Sequence, residues 1–305
     1  MTESPWGPLS ISDAHVHFFS QNFFAQLAAQ KPGLTLDAIQ TALGWQTPPE
    51  SPSELGAAWV AELDRYGVER AAIIGSVPGE EASVESAAAA FPQRLYPYAM
   101  VNPTAADTIP RLQGALDRGH IKAICLFPAM QRYSLHSDAA MAILDLVFAT
   151  RPATLVFVHC GVLSVGVRPK LGLDSQFDMR FSNPLDLHSI ALRYPQIRFV
   201  IPHFGAGMFR EALMLADLCP NIWFDTSSSN RWMLYEGLEL RTVFKRALDV
   251  VGPRRLLFGT DSSFFPRGWN AAVFEAQSKA LYELGLKEDA ARLVFGENLR
   301  HLLGA

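Results

Sequence analysis

One unit recurs along this chain and constrains its fold more than any other feature: a short β-rich run, a turn, then a helical stretch. The runs are ISDAHVHF, VERAAIIGSV, LYPYAMVNP, IKAICLFP, ATLVFVHCG, IRFVIPHFG, NIWFDTSSS and RRLLFGTDSS. Most are near-continuous apolar segments, as parallel strands covered on both faces require. Between them lie helical segments such as EEASVESAAAAF, DAAMAILDLVFATR and AAVFEAQSKALYELG. Eight such strands alternating with helices predict a (β/α)8 TIM barrel, an α/β fold that typically takes about 250 residues. A doubly wound open sheet is the competitor, weakened because no G-x-G-x-x-G loop follows the first strand. No linker or break in composition divides the 305 residues, so residues 1–305 read as a single domain. The stretch from about residue 20 to 55 is too long for a plain βα loop and reads as a helical, cap-like insertion at the barrel mouth.

The first strand carries two histidines one residue apart, His15 and His17, with Asp13 at the same spacing before them. Strand alternation would send all three to one face, where they read either as a solvent-facing edge or as a metal site. The rest of the chain bears on that choice. Of the eight histidines, His15, His17, His159 and His203 fall at the C-terminal ends of strand candidates, and Asp261 ends the eighth. That end of a barrel is where catalytic side chains converge. Buried imidazoles and a carboxylate need partners, and a divalent cation supplies one. His120, His136, His188 and His301 lie before strands or in helical stretches and read as structural or exposed.

Composition narrows the function. A net charge of -4 lacks the basic face of a nucleic-acid binder. No window reaches the roughly 18 uninterrupted apolar residues of a membrane span. MTESPWGPLS is polar and proline-broken, unlike a secretory signal, and Cys125, Cys160 and Cys219 fit reduced thiols. The chain is therefore expected in the cytoplasm, acting on a small molecule without nucleic acid or membrane, as a single chain or a homo-oligomer.

DAHVH, VHCG, PHFG and LFGTDSS in these positions resemble the amidohydrolase superfamily. More narrowly, the chain resembles the amidohydrolase-related branch of aminocarboxymuconate-semialdehyde decarboxylase-like, resorcylate decarboxylase-like and pyrone-dicarboxylate lactonase-like enzymes. The similarity runs from Ile11 to the closing ARLVFGENLRHLL. It implies that His15, His17, His159 and Asp261 bind one divalent ion per chain, most often zinc, with His203 beside the reacting water or substrate as base or electrostatic stabiliser. Asp261 would both ligate and accept a proton, and Asp13 would stand behind the ligands, fixing a tautomer or anchoring the strand. One departure is visible: superfamily members often carry a lysine inside strand four, where this chain has Cys125 in AICLFP. Lys122 is three residues away and faces the other side, so a lysine-bridged pair of metals is not expected. Cys125 reads as a packing thiol.

The resemblance implies a metal-dependent hydrolase attacking an ester, lactone or amide carbonyl, or else a nonoxidative decarboxylase (carboxy-lyase) of an aromatic or muconate-type carboxylate. A barrel retained only for binding is a third reading, opposed by the complete ligand set. Arg168, Lys170 and Arg180 after strand five, Arg231 and Trp232 after strand seven, and Arg267 and Trp269 after strand eight are candidates for holding a carboxylate or walling a ring.

Overall fold

The computed structural model describes residues 1–163, 165–175, 177–227 and 230–304. Eight parallel strands pair in chain order: β1 (Ser12–Phe18), β2 (Arg70–Gly75), β3 (Leu95–Val101), β4 (Ala123–Leu126), β5 (Leu155–Val158), β6 (Phe199–Ile201), β7 (Ile222–Asp225) and β8 (Leu256–Leu257). The ring closes from β1 to the segment around β8. Ala14 N–H donates to the Phe258 carbonyl, Asp261 N–H to that of His15, and His17 N–H to that of Ser262. A ring with sequential order is the TIM barrel and excludes the open doubly wound sheet.

Apolar runs are sorted by strand alternation into two cores. Side chains such as Ala72, Ile74, Tyr98, Cys125, Phe157 and Val200 fill the barrel interior, joined by Leu299 and Leu303 of the last helix, Asn298–Leu303. Ile73, Val101, Leu126, Val158, Phe199 and Phe224 face the surrounding helices. Continuous burial of β3 through β6 is what a parallel sheet covered on both faces requires.

β1 departs from plain alternation. Asp13 pairs with Ala71 but Val16 pairs with Ile73, so Ala14 and His15 together span the place of Ala72. Such a bulge reverses the facing of everything before it. Val16 and Phe18 pack in the outer core and Ala14 in the inner one. His15 and His17 therefore point inward, while Asp13 points outward toward Trp269. The alternation that put Asp13 on the histidines' face fails at this bulge.

Between β1 and the first long helix, α3 (Pro52–Arg65), lie two short ones, α1 (Gln21–Ala28) and α2 (Leu36–Leu43). The hydroxyls of Ser20 and Thr35 accept N–H groups at their first turns. Phe23, Phe24, Leu27, Ile39 and Trp45 form a separate apolar cluster with Leu171 and Leu173 from the segment after β5, and Phe19 and Phe264 pack against it. The 20–55 stretch is thus tied to strand ends around the barrel. Among the described residues, no helix is long and apolar enough to cross a membrane.

Candidate metal centre

Three ring closures of the backbone put the site together. Asp261 N–H on the His15 carbonyl sets the carboxylate beside β1, and its backbone is left-handed there, with φ 57°. Gly259 permits the approach: a Cβ on it would lie 2.5 Å from Asp225 Oδ1 and 2.9 Å from His15 Cβ. His203 sits two residues beyond β6 in a turn where His203, Phe204, Gly205 and Ala206 all have positive φ. Such backbone costs on the order of 1–3 kcal/mol per non-glycine residue and is held where a site requires it. Gly161, two residues after His159, packs backbone to backbone against this turn. Val162 N–H donates to the Ala206 carbonyl, and a Cβ on Gly161 would meet the Gly205 carbonyl at 2.0 Å. The glycines of HCG and HFGAG are thus an interlock that fixes His159 and His203 to each other, with ring centroids 5.3 Å apart.

The tautomers follow from the partners. His15 Nδ1 lies 2.5 Å from the buried carboxylate of Asp225, so it carries the proton. The Ser76 hydroxyl donates to the Ile74 carbonyl and therefore accepts from His17 Nδ1–H at 2.9 Å. His203 Nδ1 faces the Ser227 carbonyl at 2.9 Å, which can only accept. With Nδ1 so occupied in all three rings, Nε2 is the nitrogen left to ligate. The Nε2 atoms of His15 and His17 stand 3.4 Å apart, with Asp261 Oδ1 3.7 Å from the first and 3.2 Å from the second. The donor atoms of these three residues all lie within 4.8 Å of one another. His159 is outside that set, but its Nε2 is buried without a hydrogen-bond partner among the described residues.

This donor set fits a divalent cation. Two facing lone pairs repel, a single proton would satisfy only that pair, and a cation satisfies the imidazoles and the carboxylate together. Electrostatics agree. Burial, helped by neighbouring His203 and His15, holds His159 well below its ordinary pKa, and burial also lowers His203, so both rings stay neutral. Burial pulls His15 down as well, but the charge and hydrogen bond of Asp225 outweigh it and leave its pKa raised. Burial pushes Asp261 up, yet hydrogen bonding to His17 and the charges of His15, His17 and His203 hold its carboxyl well below the usual range.

Asp13 takes a different part from the one expected beside the ligands. It accepts from His15 N–H (2.9 Å), Thr260 N–H (3.1 Å), Thr260 Oγ1 (2.5 Å) and Trp269 Nε1 (2.8 Å), clamping the β1 bulge to the segment after β8. Burial raises its carboxyl to about 6 despite these donors. Asp225 and Ser76 hold the tautomers instead; neither was singled out in the sequence, although Asp225 ends an apolar strand just as Asp261 follows one.

The mouth candidates separate. Trp269 is buried, its indole on Asp13 and its ring near Tyr66, Phe258 and Phe274, so it is a core residue behind β1 and not a wall for substrate. Trp232 is likewise buried against Phe209. Arg180 is exposed and folded back on Asp178, and Arg168 bonds Gln30 and the Asp174 carbonyl. Arg180 thus serves the loop that carries it, and Arg168 ties that loop to the insertion after β1. Arg231 is exposed. Arg267 alone of these arginines bonds the Asp261 segment, donating to the Asp261 carbonyl (3.0 Å) and Ser263 Oγ (2.9 Å). Cys125 is buried in the barrel interior, and burial pushes its thiol far up.

Comparison with known proteins decides the family: the amidohydrolase model matches residues 12–305. The chain belongs to the amidohydrolase family. Membership supports an enzyme of the metal-dependent hydrolase kind. Similar solved structures include a TIM-barrel protein from Bordetella bronchiseptica (19% identical, TM-score 0.65, covering 97% of this chain and 99% of that one). Another is an amidohydrolase from Burkholderia multivorans with bound zinc (16%, TM-score 0.64, 97% and 99%). A third is described as a probable 2-pyrone-4,6-dicarboxylic acid hydrolase from Acinetobacter baumannii (14%, TM-score 0.61, 97% and 100%). At these identities the likeness is one of fold. Among curated proteins, this amidohydrolase is 32% identical over 93 residues to protein fluG of Emericella nidulans, a match spanning 30% of this chain and 10% of that protein.

Proposed function

We propose that this amidohydrolase is a metal-dependent hydrolase that cleaves an ester, lactone or amide bond of a small, carboxylate-bearing substrate, with one divalent cation, zinc or a similar ion, held by His15, His17, His159 and Asp261. The observation that carries the reading is the pair of Nε2 lone pairs of His15 and His17 facing each other at 3.4 Å beside Asp261. Bound there, a divalent cation lowers the pKa of water from 15.7 to about 7 and polarises a carbonyl.

The chain's own residues do the rest. Asp225 and Ser76 hold the His15 and His17 rings in the ligating tautomer. Asp261, kept ionised by its surroundings, is placed to accept the proton of the attacking water and return it to the leaving group. His203, with Nδ1–H committed to the Ser227 carbonyl, keeps Nε2 as a neutral base or hydrogen-bond acceptor for water or substrate. Arg267, unpaired with any carboxylate side chain among the described residues, is the cation we assign to the substrate's carboxylate. Three buried free cysteines suit a reducing compartment, and we place the enzyme in the cytoplasm.

The test is a panel of lactones, amides and aromatic carboxylates given to the metal-loaded protein, with acid release and CO2 release scored separately. Acid release without CO2, abolished by a chelator and restored by metal, is expected. Full activity after chelation, or CO2 release alone, overturns the hydrolase.

A further inference from the structure

A second feature adjoins the metal centre and is apolar. The residues two positions beyond His17 and Asp261, Phe19 and Ser263, both line a cavity of about 250 Å³ between the β1 exit, the start of α3 and the segment after β8. Phe24, Trp59 and Phe264 wall it, and no charged side chain lines it. Its boundary includes a column of stacked rings. Phe23 lies on Phe19 (4.1 Å), Phe19 on Trp45 (5.4 Å) and Trp45 on Phe264 (4.3 Å). Arg267 closes the far end over Phe264 at 4.6 Å. The Phe19 ring is also 5.5 Å from that of His17, so one side chain borders both the cavity and the metal ligands.

We infer that this cavity receives an apolar group of the substrate, the size of a phenyl ring or short alkyl chain, attached to the carbonyl compound cleaved at the metal. An apolar cavity of about 150 Å³ holds benzene, so about 250 Å³ takes a substituted ring. Phe19, Phe24, Trp59 and Phe264 give such a group a rigid aromatic border, and the absence of charge in the lining disfavours a second carboxylate there, whose desolvation nothing would offset. With Arg267 lying over Phe264, the substrate is amphiphilic, its anionic end at the segment after β8 and its apolar end between Phe19 and Phe264.

This inference rests on the hydrolase reading for the word substrate, but the site is tested without turnover. Benzyl alcohol, with no bond to cleave, is titrated into the metal-loaded protein by ligand-observed NMR, with glycerol as the control. Two variants fill the cavity from different elements: Ala58→Phe on α3 and Thr47→Trp on the exposed segment before it. Expected is benzyl alcohol binding well above that of glycerol, weakened at least fivefold in each folded variant while metal content is unchanged. In turnover, the benzyl ester of an acid should exceed its methyl ester in kcat/KM by roughly tenfold or more, the scale of burying a ring, and Ala58→Phe should remove the preference. Benzyl alcohol bound no better than glycerol, or bound equally by the folded variants, overturns the apolar subsite. Probe binding without any hydrolysis would overturn the hydrolase and leave the cavity's ligand class standing.

Discussion

His15 on β1 and Asp225 on β7 meet over the intervening β8, Nδ1 to Oδ2 at 2.5 Å, although 210 residues separate them in the chain. The carboxylate also accepts from Ser227 Oγ at 2.8 Å, so it is held as firmly as the ring it orients. An outer carboxylate of this kind fixes the ligating nitrogen and raises its basicity. Asp225→Asn should therefore weaken metal binding by about 10- to 100-fold with the fold intact. Competition with a chelating dye, beside a circular dichroism spectrum, measures both. Unchanged affinity would remove Asp225 from the support of the centre.

Metal binding and stability should be linked. A cation that binds only the folded chain stabilises it by about 2.7 kcal/mol at a hundred times its Kd. For a chain of this size that is an upward shift in Tm on the order of 5 °C. Zinc added to chelator-stripped protein should produce it, and His15→Ala should abolish it. An equal shift in His15→Ala would place the bound zinc elsewhere.

His159 and His203 are neighbours with different expected roles. His203 Nδ1 is bonded to Ser227, whereas His159 Nε2 is buried and without a partner among the described residues. His203→Ala should keep its metal while kcat falls roughly 10²-fold or more, the scale of general acid–base help. His159→Ala should lose metal as well. Elemental analysis of the two variants decides between them, and equal metal loss in both would make His203 a ligand.

The barrel was legible because its strands are continuous apolar runs at regular spacing, and His15, His17 and Asp261 were legible because strand ends in a barrel converge. What stayed hidden depends on registers and local pairings. The bulge at Ala14–His15 turns Asp13 away from the histidines, and no letter in ISDAHVHF marks it. Ser76 and Ser227 become supports only because the closed ring brings β2 and β7 to the imidazoles that they bond. Asp225 carried a usable signal, an acid at the end of an otherwise apolar strand. Arg180 resembled a substrate cation until its partner proved to be Asp178, two residues away. Cation counts along a loop cannot show such a pairing.

Trp269 sits in the fold where its place in the chain does not suggest, behind β1 and away from the mouth. In sequence it follows the eighth strand and suggests a ring-stacking wall; in the fold its indole N–H is one of four donors on Asp13, itself fully buried. Trp269→Phe keeps most of the ring packing against Phe258 and Phe274 but removes that donor. Stability should fall by about 1–3 kcal/mol, the range for a hydrogen bond to a charged group lost in the interior. Asp13→Ala should cost more, because it leaves all four donors without that carboxylate between β1 and the Asp261 segment. KM should stay within about twofold in Trp269→Phe, since the side chain faces the core and not the cavity. Urea unfolding and steady-state kinetics on the same preparation test both halves. A large rise in KM with unchanged stability would return Trp269 to the substrate site.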